Sequence, residues 1–193
     1  MNGIVDESKQ DMAFSATMET SQGVPMGVKR STRYHVEAFR DGELLWEDYI
    51  DNLVVNTGLD DSLNKYFKGV GYTAVHFVGI TGSAPVASAT NTMASATRSW
   101  SEVVAYATVT RPSLTVASAA SQSVTNTANK AVFTINADNT VIGGAFTVAG
   151  AEASARGGVA GILYGVGAFT GGNKTLSTND VLNVTLTATA SAQ

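Results

Sequence analysis

"DVLNVTLTATA", residues 180–190, carries the fold assignment. Leu182, Val184, Leu186 and Ala188 alternate with Asn183, Thr185, Thr187 and Thr189. Successive side chains of an extended chain point to opposite faces. This period of two therefore predicts a β-strand with one buried face and one wet or contacting face. Working outward, "TAVHFVGI" (73–80), "WSEVVAYATVT" (100–110), "KAVFTI" (130–135), "VIGGAFTV" (141–148) and "VAGILYGVGAF" (159–169) read as further strands. The second of these stops at Arg111-Pro112, and the third and fourth are expected to pair across the turn-rich Asn136–Thr140.

Toward the N-terminus, "YHVEAFRDGELLWEDY" (34–49) predicts a β-hairpin, because Asp41-Gly42 suits a type I′ turn whose central residues need positive φ. "NTGLDDSLNKYFKG" (56–69) is the one helix signal. Leu59, Leu63, Tyr66 and Phe67 share a face, Thr57 is placed to cap the start, Asp60 and Asp61 suit the positive end of the dipole, and Gly69 closes it. Short strands, frequent turns and one helix imply a mainly β chain: an antiparallel β-sandwich, jelly-roll-like, with one short α-helix plugging an end. Leu182, Val184 and Leu186 should share its core with Phe133, Ile135, Phe146, Ile162 and Tyr164.

Residues 1–33 stand apart as an extended N-terminal arm, leaving 34–193 as a single β-sandwich domain. The first thirty residues are polar, with apolar residues at no consistent period, too few to offset about 1–2 kcal/mol of backbone entropy per ordered residue. They read either as a disordered tail or as an arm that orders only against another subunit. In the second case Phe14, Met18 and Met26 are the apolar anchors, and Lys29, Arg30 and Arg33 form a basic cluster facing carboxylates of a partner.

"LYGVGAFTGGNKTLS" (163–177) looks like a phosphate loop. A P-loop, however, needs G-x-x-x-x-G-K-[ST] leading into a helix, so that backbone amides face the anion. Asn173 stands where the lysine belongs, Thr170 breaks G-x-G-x-x-G, and an alternating strand follows. Gly165 and Gly167 instead predict close sheet packing or a bulge, and Gly171-Gly172-Asn173 a hairpin turn.

The remaining composition narrows function without naming a chemistry. There is no cysteine and there are two distant histidines, His35 and His76, so a thiolate or His-rich metal site has little to be built from. Asp138, Asn139 and Asp180 lack the spacing of a calcium loop. No G-x-S-x-G nucleophile elbow occurs, and no cofactor is expected. A net charge of −4 offers no field for nucleic acid, no apolar run reaches membrane-spanning length, and the acidic N-terminus does not resemble a signal peptide. These features predict a soluble, cytosolically made protein that is not an enzyme. Charged residues are only 15%, against roughly 25% in ordinary globular domains, which suits a subunit that packs against neighbours.

The segments "NLVVNTGLD" (52–60), "TMASATRSWSEVVAYATVTRPSLT" (92–115), "SQSVTNTANKAVFTINAD" (121–138), "GGAFTV" (143–148) and "GILYGVGAFTGGNKTLSTNDVLNVTLTATA" (161–190) resemble a family of uncharacterised structural proteins encoded by tailed bacteriophages. That resemblance implies a virion component and carries over no catalytic residue. The expected role is capsid decoration (cement), binding the major capsid protein or other virion proteins as a homo-oligomer, with a trimer favoured. A tail, fibre or head–tail connector component is the alternative. A host-glycan-binding module is a third reading, with Trp46, Trp100, Tyr72 or Tyr106 as stacking platforms.

Overall fold

The computed structural model describes residues 28–69, 71, 75–94 and 96–192. The expected arm anchors Phe14, Met18 and Met26 lie outside them. Among the described residues, ten antiparallel strands and one α-helix follow in the order β1 (Val28–Arg40), β2 (Glu43–Val54), α1 (Asn56–Phe67), β3 (His76–Thr81), β4 (Ser123–Thr125), β5 (Ala131–Thr134), β6 (Thr140–Ile142), β7 (Gly144–Ala149), β8 (Ile162–Ala168), β9 (Lys174–Leu176) and β10 (Val181–Ala192). The main sheet runs β3-β7-β8-β2-β1-β10-β4, with β5 also on β10, while β6 and β9 form a separate pair. The expected mainly β, sandwich-like fold is what the chain adopts.

β1 and β2 form the predicted hairpin, with Asp41 at φ 51° and Gly42 at φ 85°. β1 begins earlier than expected. Its ladder to β10 runs from Val28↔Ala192 to Phe39↔Val181, so Lys29, Arg30 and Arg33 belong to a strand and not to an arm. The polar composition of residues 28–33 hides this, because their backbone groups are satisfied by β10 whatever side chains they carry.

β2 pairs with β8 only through Leu53↔Val166 and Val54↔Gly165. The sheet therefore folds over at that corner, and its two halves face each other. Tyr34, Val36 and Ala38 of β1, Ile50 of β2 and Leu182, Val184 and Leu186 of β10 pack against Val78 and Ile80 of β3 and Ala145 of β7. The β3-β7-β8 half is covered on its outer side too, where Phe146, Val148, Leu163 and Val166 meet Met93, Trp100 and Ala153. Being buried on both faces, β7 ("GAFTVA") shows no alternation at all.

Three expectations need correction. Residues 100–110 are not a strand. Trp100, Val103 and Tyr106 are buried at every third position, and the segment makes only isolated bridges, Thr81↔Glu102, Tyr106↔Ile135 and Thr110↔Ala155. Its backbone bonds are scattered between two neighbours, from the Val103 amide to the Ile80 carbonyl at 2.9 Å and from the Ala107 amide to the Thr134 carbonyl at 2.8 Å, and a buried ion pair anchors its end. Arg111 lies fully buried, donating to Glu102 at 2.8 and 2.6 Å and to the carbonyls of Ala153 and Gly158. Secondly, β5 and the 140–149 strands do not pair with each other; β5 joins β10, β6 joins β9, and β7 lies between β3 and β8. Thirdly, Leu163 and Val166 fill the core, whereas Ile162 and Tyr164 are only half-buried. The pairing of β8 with β7 passes from Gly165 directly to Leu163, so Tyr164 is an extra, bulged residue that inverts the inside–outside register.

Candidate interaction surface

The glycine loop closes on Asp48 of β2. Thr170 donates through its amide (3.2 Å) and hydroxyl (2.5 Å) to Asp48 Oδ1, Gly171 donates its amide to Oδ2 at 3.0 Å, and Lys174 Nζ stands 3.8 Å away. The amide of Tyr49 adds a fourth donation, at 2.7 Å. The loop thus has the donors of an anion cradle, and the anion is a carboxylate of its own chain. Burial pushes the Asp48 carboxyl up, but the hydroxyl and amide donors outweigh it and hold the group below the usual carboxylate range. Gly165 and Gly167 serve close packing, as expected: a Cβ on either would collide with Asn52 or Ile50 of β2. This loop is a structural clasp, filled from within.

Helix α1 sits the other way round from the expected orientation. Gly58 is its buried residue, and a Cβ there would stand 2.7 Å from the carbonyl oxygen of Tyr164. The same side carries Thr57, Ser62, Asp61 and Lys65. Thr57 Oγ1 donates to the Leu163 carbonyl at 2.8 Å, the Val55 amide donates to the Tyr164 carbonyl at 3.1 Å, and Ser62 Oγ lies 3.1 Å from the Tyr164 hydroxyl. The bulge explains this polar interface. It takes Tyr164 out of the β7–β8 ladder, and the start of α1 supplies partners for the carbonyls of that corner. Thr57 is consequently not the cap, Asp61 pairs with Lys65 at 3.3 Å, and only Gly69, at φ +65°, plays its expected C-terminal part.

Its apolar stripe therefore faces outward. Leu59 is 37% exposed, Leu63 53%, Tyr66 80% and Phe67 75%, with the rings of Tyr66 and Phe67 edge to face at 5.0 Å. Burying one such side chain is worth about 1.5–3 kcal/mol, so a helix that turns four of them to water and its polar side to the sheet leaves that stabilisation unused within the described residues.

Tyr164 also borders a cleft of about 510 Å³ at the open end of the sandwich, lined by Thr32, His76, Leu114, Thr147 and Leu186 among others. Two of its lining residues are hydrogen-bonded to neighbours outside it: the Tyr34 hydroxyl lies 2.6 Å from Thr147 Oγ1, and Asn52 Nδ2 donates to Thr32 at 2.7 Å. Burial lowers the pKa of His76 against the opposing pull of Asp61 and favours the neutral ring. A shallower recess of about 360 Å³ joins Arg30 to Asp61, Ser62, Lys65 and Tyr66. Arg30 thus stands where β1 meets the flank of α1.

The expected basic cluster is divided. Arg33 is already paired with Asp51 of its own chain at 2.7 Å, on the sheet's outer surface. Lys29 and Arg30 have no ion-pair partner among the described residues. Of the proposed stacking platforms, Trp100 and Tyr106 are buried, Trp46 is half-buried against Phe169, and Tyr72 lies outside the described residues. Among the described residues, no three His, Asp or Glu side chains stand together as metal ligands, and no helix is long and apolar enough to cross a membrane. A scan against protein-family models finds no match to this chain, nor do searches of the curated proteins and of the solved structures.

Proposed function

We propose that this chain is a virion structural protein of a tailed bacteriophage, a capsid decoration (cement) subunit that binds the major capsid protein and ties neighbouring subunits together. The observation that carries the reading is helix α1, with its polar side on the sheet and Leu59, Leu63, Tyr66 and Phe67 presented outward. The low charge and the phage-family resemblance of the sequence point the same way. In this reading the folded domain is a rigid platform, α1 is a contact surface, and the N-terminal segment reaches a neighbouring subunit. Individually weak contacts suffice, because symmetric copies act together. The functional unit is a homo-oligomer, with a trimer favoured. Work is done by binding, with no reaction catalysed.

The test is sedimentation with purified empty capsids. The intact protein should co-sediment at saturating copy number. A chain starting at Val28 keeps every described strand, so it should retain its thermal midpoint and lose most of its affinity for particles. Equal decoration by both proteins would refute the role of the segment. No binding by the intact protein, together with a low copy number in virions, would transfer the protein to the tail.

A further inference from the structure

We infer that the outward face of α1 is the docking site for the N-terminal segment of a second copy of this chain, with Phe14, Met18 and Met26 seated against Leu59, Leu63, Tyr66 and Phe67. The inference rests on the reading above only in that copies of the chain meet. Three observations lead to it. Twenty-seven residues precede β1, and they carry apolar side chains at spaced positions with no apolar periodicity of their own. The strand they lead into starts beside the helix, since Arg30 shares a recess with Asp61, Lys65 and Tyr66. Wherever two α1 faces approach about a symmetry axis, the root of each segment therefore lies near the other copy's helix.

The stripe is also small. Four side chains on a three-turn helix fall well short of the roughly 800 Å² per partner that a stable interface buries. A helix-to-helix contact alone is too small, and an extended segment laid along the stripe from each copy to the next supplies the missing area. Because each copy gives a segment and receives one, the exchange closes a symmetric ring without requiring a new surface.

The absence of cysteine makes a clean test possible in the full-length chain. Met18→Cys and Leu63→Cys are introduced into separately tagged proteins, which are mixed and mildly oxidised. A mixed disulfide should form at least about tenfold faster than with Val159→Cys, an exposed position outside α1, as the second protein. Rates no higher than this control overturn the inference. A Met18→Cys/Leu63→Cys double variant that closes only within one chain overturns it as well, since the segment would then cover its own helix. In a parallel measurement, Leu63→Glu and removal of residues 1–27 should each abolish self-association, and the combination should do no more than either. Self-association that survives the truncation but not Leu63→Glu would also overturn it, because the helices would then meet directly. Capsids take no part, so these outcomes are separate from success or failure of the decoration reading.

Discussion

The backbone amide of Gly171 donates to Asp48 Oδ2 at 3.0 Å, so a loop with the composition of an anion site closes on a carboxylate from β2. Asp48→Ala should cost about 1–3 kcal/mol, because the amides of Thr170 and Gly171 lose their acceptor in a half-buried place. Urea unfolding checks this. A loss below a few tenths of a kcal/mol would show that water replaces the carboxylate freely.

The same clasp sets a pH dependence. Asp48 is held below the ordinary carboxylate range in the folded chain by Thr170, Gly171 and Tyr49 working against burial; Asp180 is held there chiefly by Arg40, whose guanidinium donates to both its oxygens at 2.7 Å. A depressed folded pKa means that the unfolded chain binds the proton first. The stabilisation is therefore complete above the unfolded value of about 3.9 and disappears as pH falls through the lower folded values. Thermal midpoints should be level with respect to these groups from pH 7 to about 5 and fall below about 4. Asp48→Asn should flatten that fall.

Glu102 and Arg111 form a fully enclosed pair, with the Gly157 amide also donating to Glu102 at 2.9 Å. Glu102→Gln leaves a buried guanidinium without its counter-charge. The expected cost is about 3–5 kcal/mol, far more than an exposed pair such as Arg33–Asp51 should lose. Chemical denaturation of Glu102→Gln and Asp51→Asn side by side decides it, and similar small losses would contradict the assignment.

Leu186 and Thr185 are adjacent on β10 and almost equally buried, at 4% and 7% exposure, yet substitution should separate them. Leu186→Ala removes packed volume from the core between the two halves of the sheet and should cost about 2–5 kcal/mol. The Thr185 hydroxyl is buried without a hydrogen-bond partner, so Thr185→Val should be neutral or slightly stabilising. Equal losses at both positions would mean that the two faces of β10 are packed alike.

Gly58→Ala inverts a familiar rule. Replacing glycine by alanine inside a helix ordinarily gains about 1 kcal/mol. Here the added carbon would stand 2.7 Å from the Tyr164 carbonyl oxygen, so α1 must move off β8 and the thermal midpoint should drop. Asn64→Ala, on the exposed side of the same helix, should raise it slightly and serves as the control.

Local chemistry made several elements legible from the amino-acid order alone. The alternation of β10, the Asp41-Gly42 turn, the extent of α1 and the clearance at Gly165 and Gly167 each depend on a few consecutive residues and on backbone sterics. So does rejection of the nucleotide loop, since a strand and not a helix follows it. The helical period of α1 was equally visible, but a period shows only that a helix has an apolar face. It does not show which way that face points.

Contacts between residues distant in the chain settled the rest. The orientation of α1 follows from a bulge at Tyr164, about a hundred residues downstream, whose corner needs polar partners. Residues 100–110 divide their backbone bonds between β3 and β5 and are anchored by a guanidinium and a carboxylate that meet out of water. Residues 28–33 became a strand because β10 lay alongside them. In each case the deciding energy belongs to desolvation and to satisfying buried hydrogen-bonding groups, and those quantities exist only once remote segments have come together.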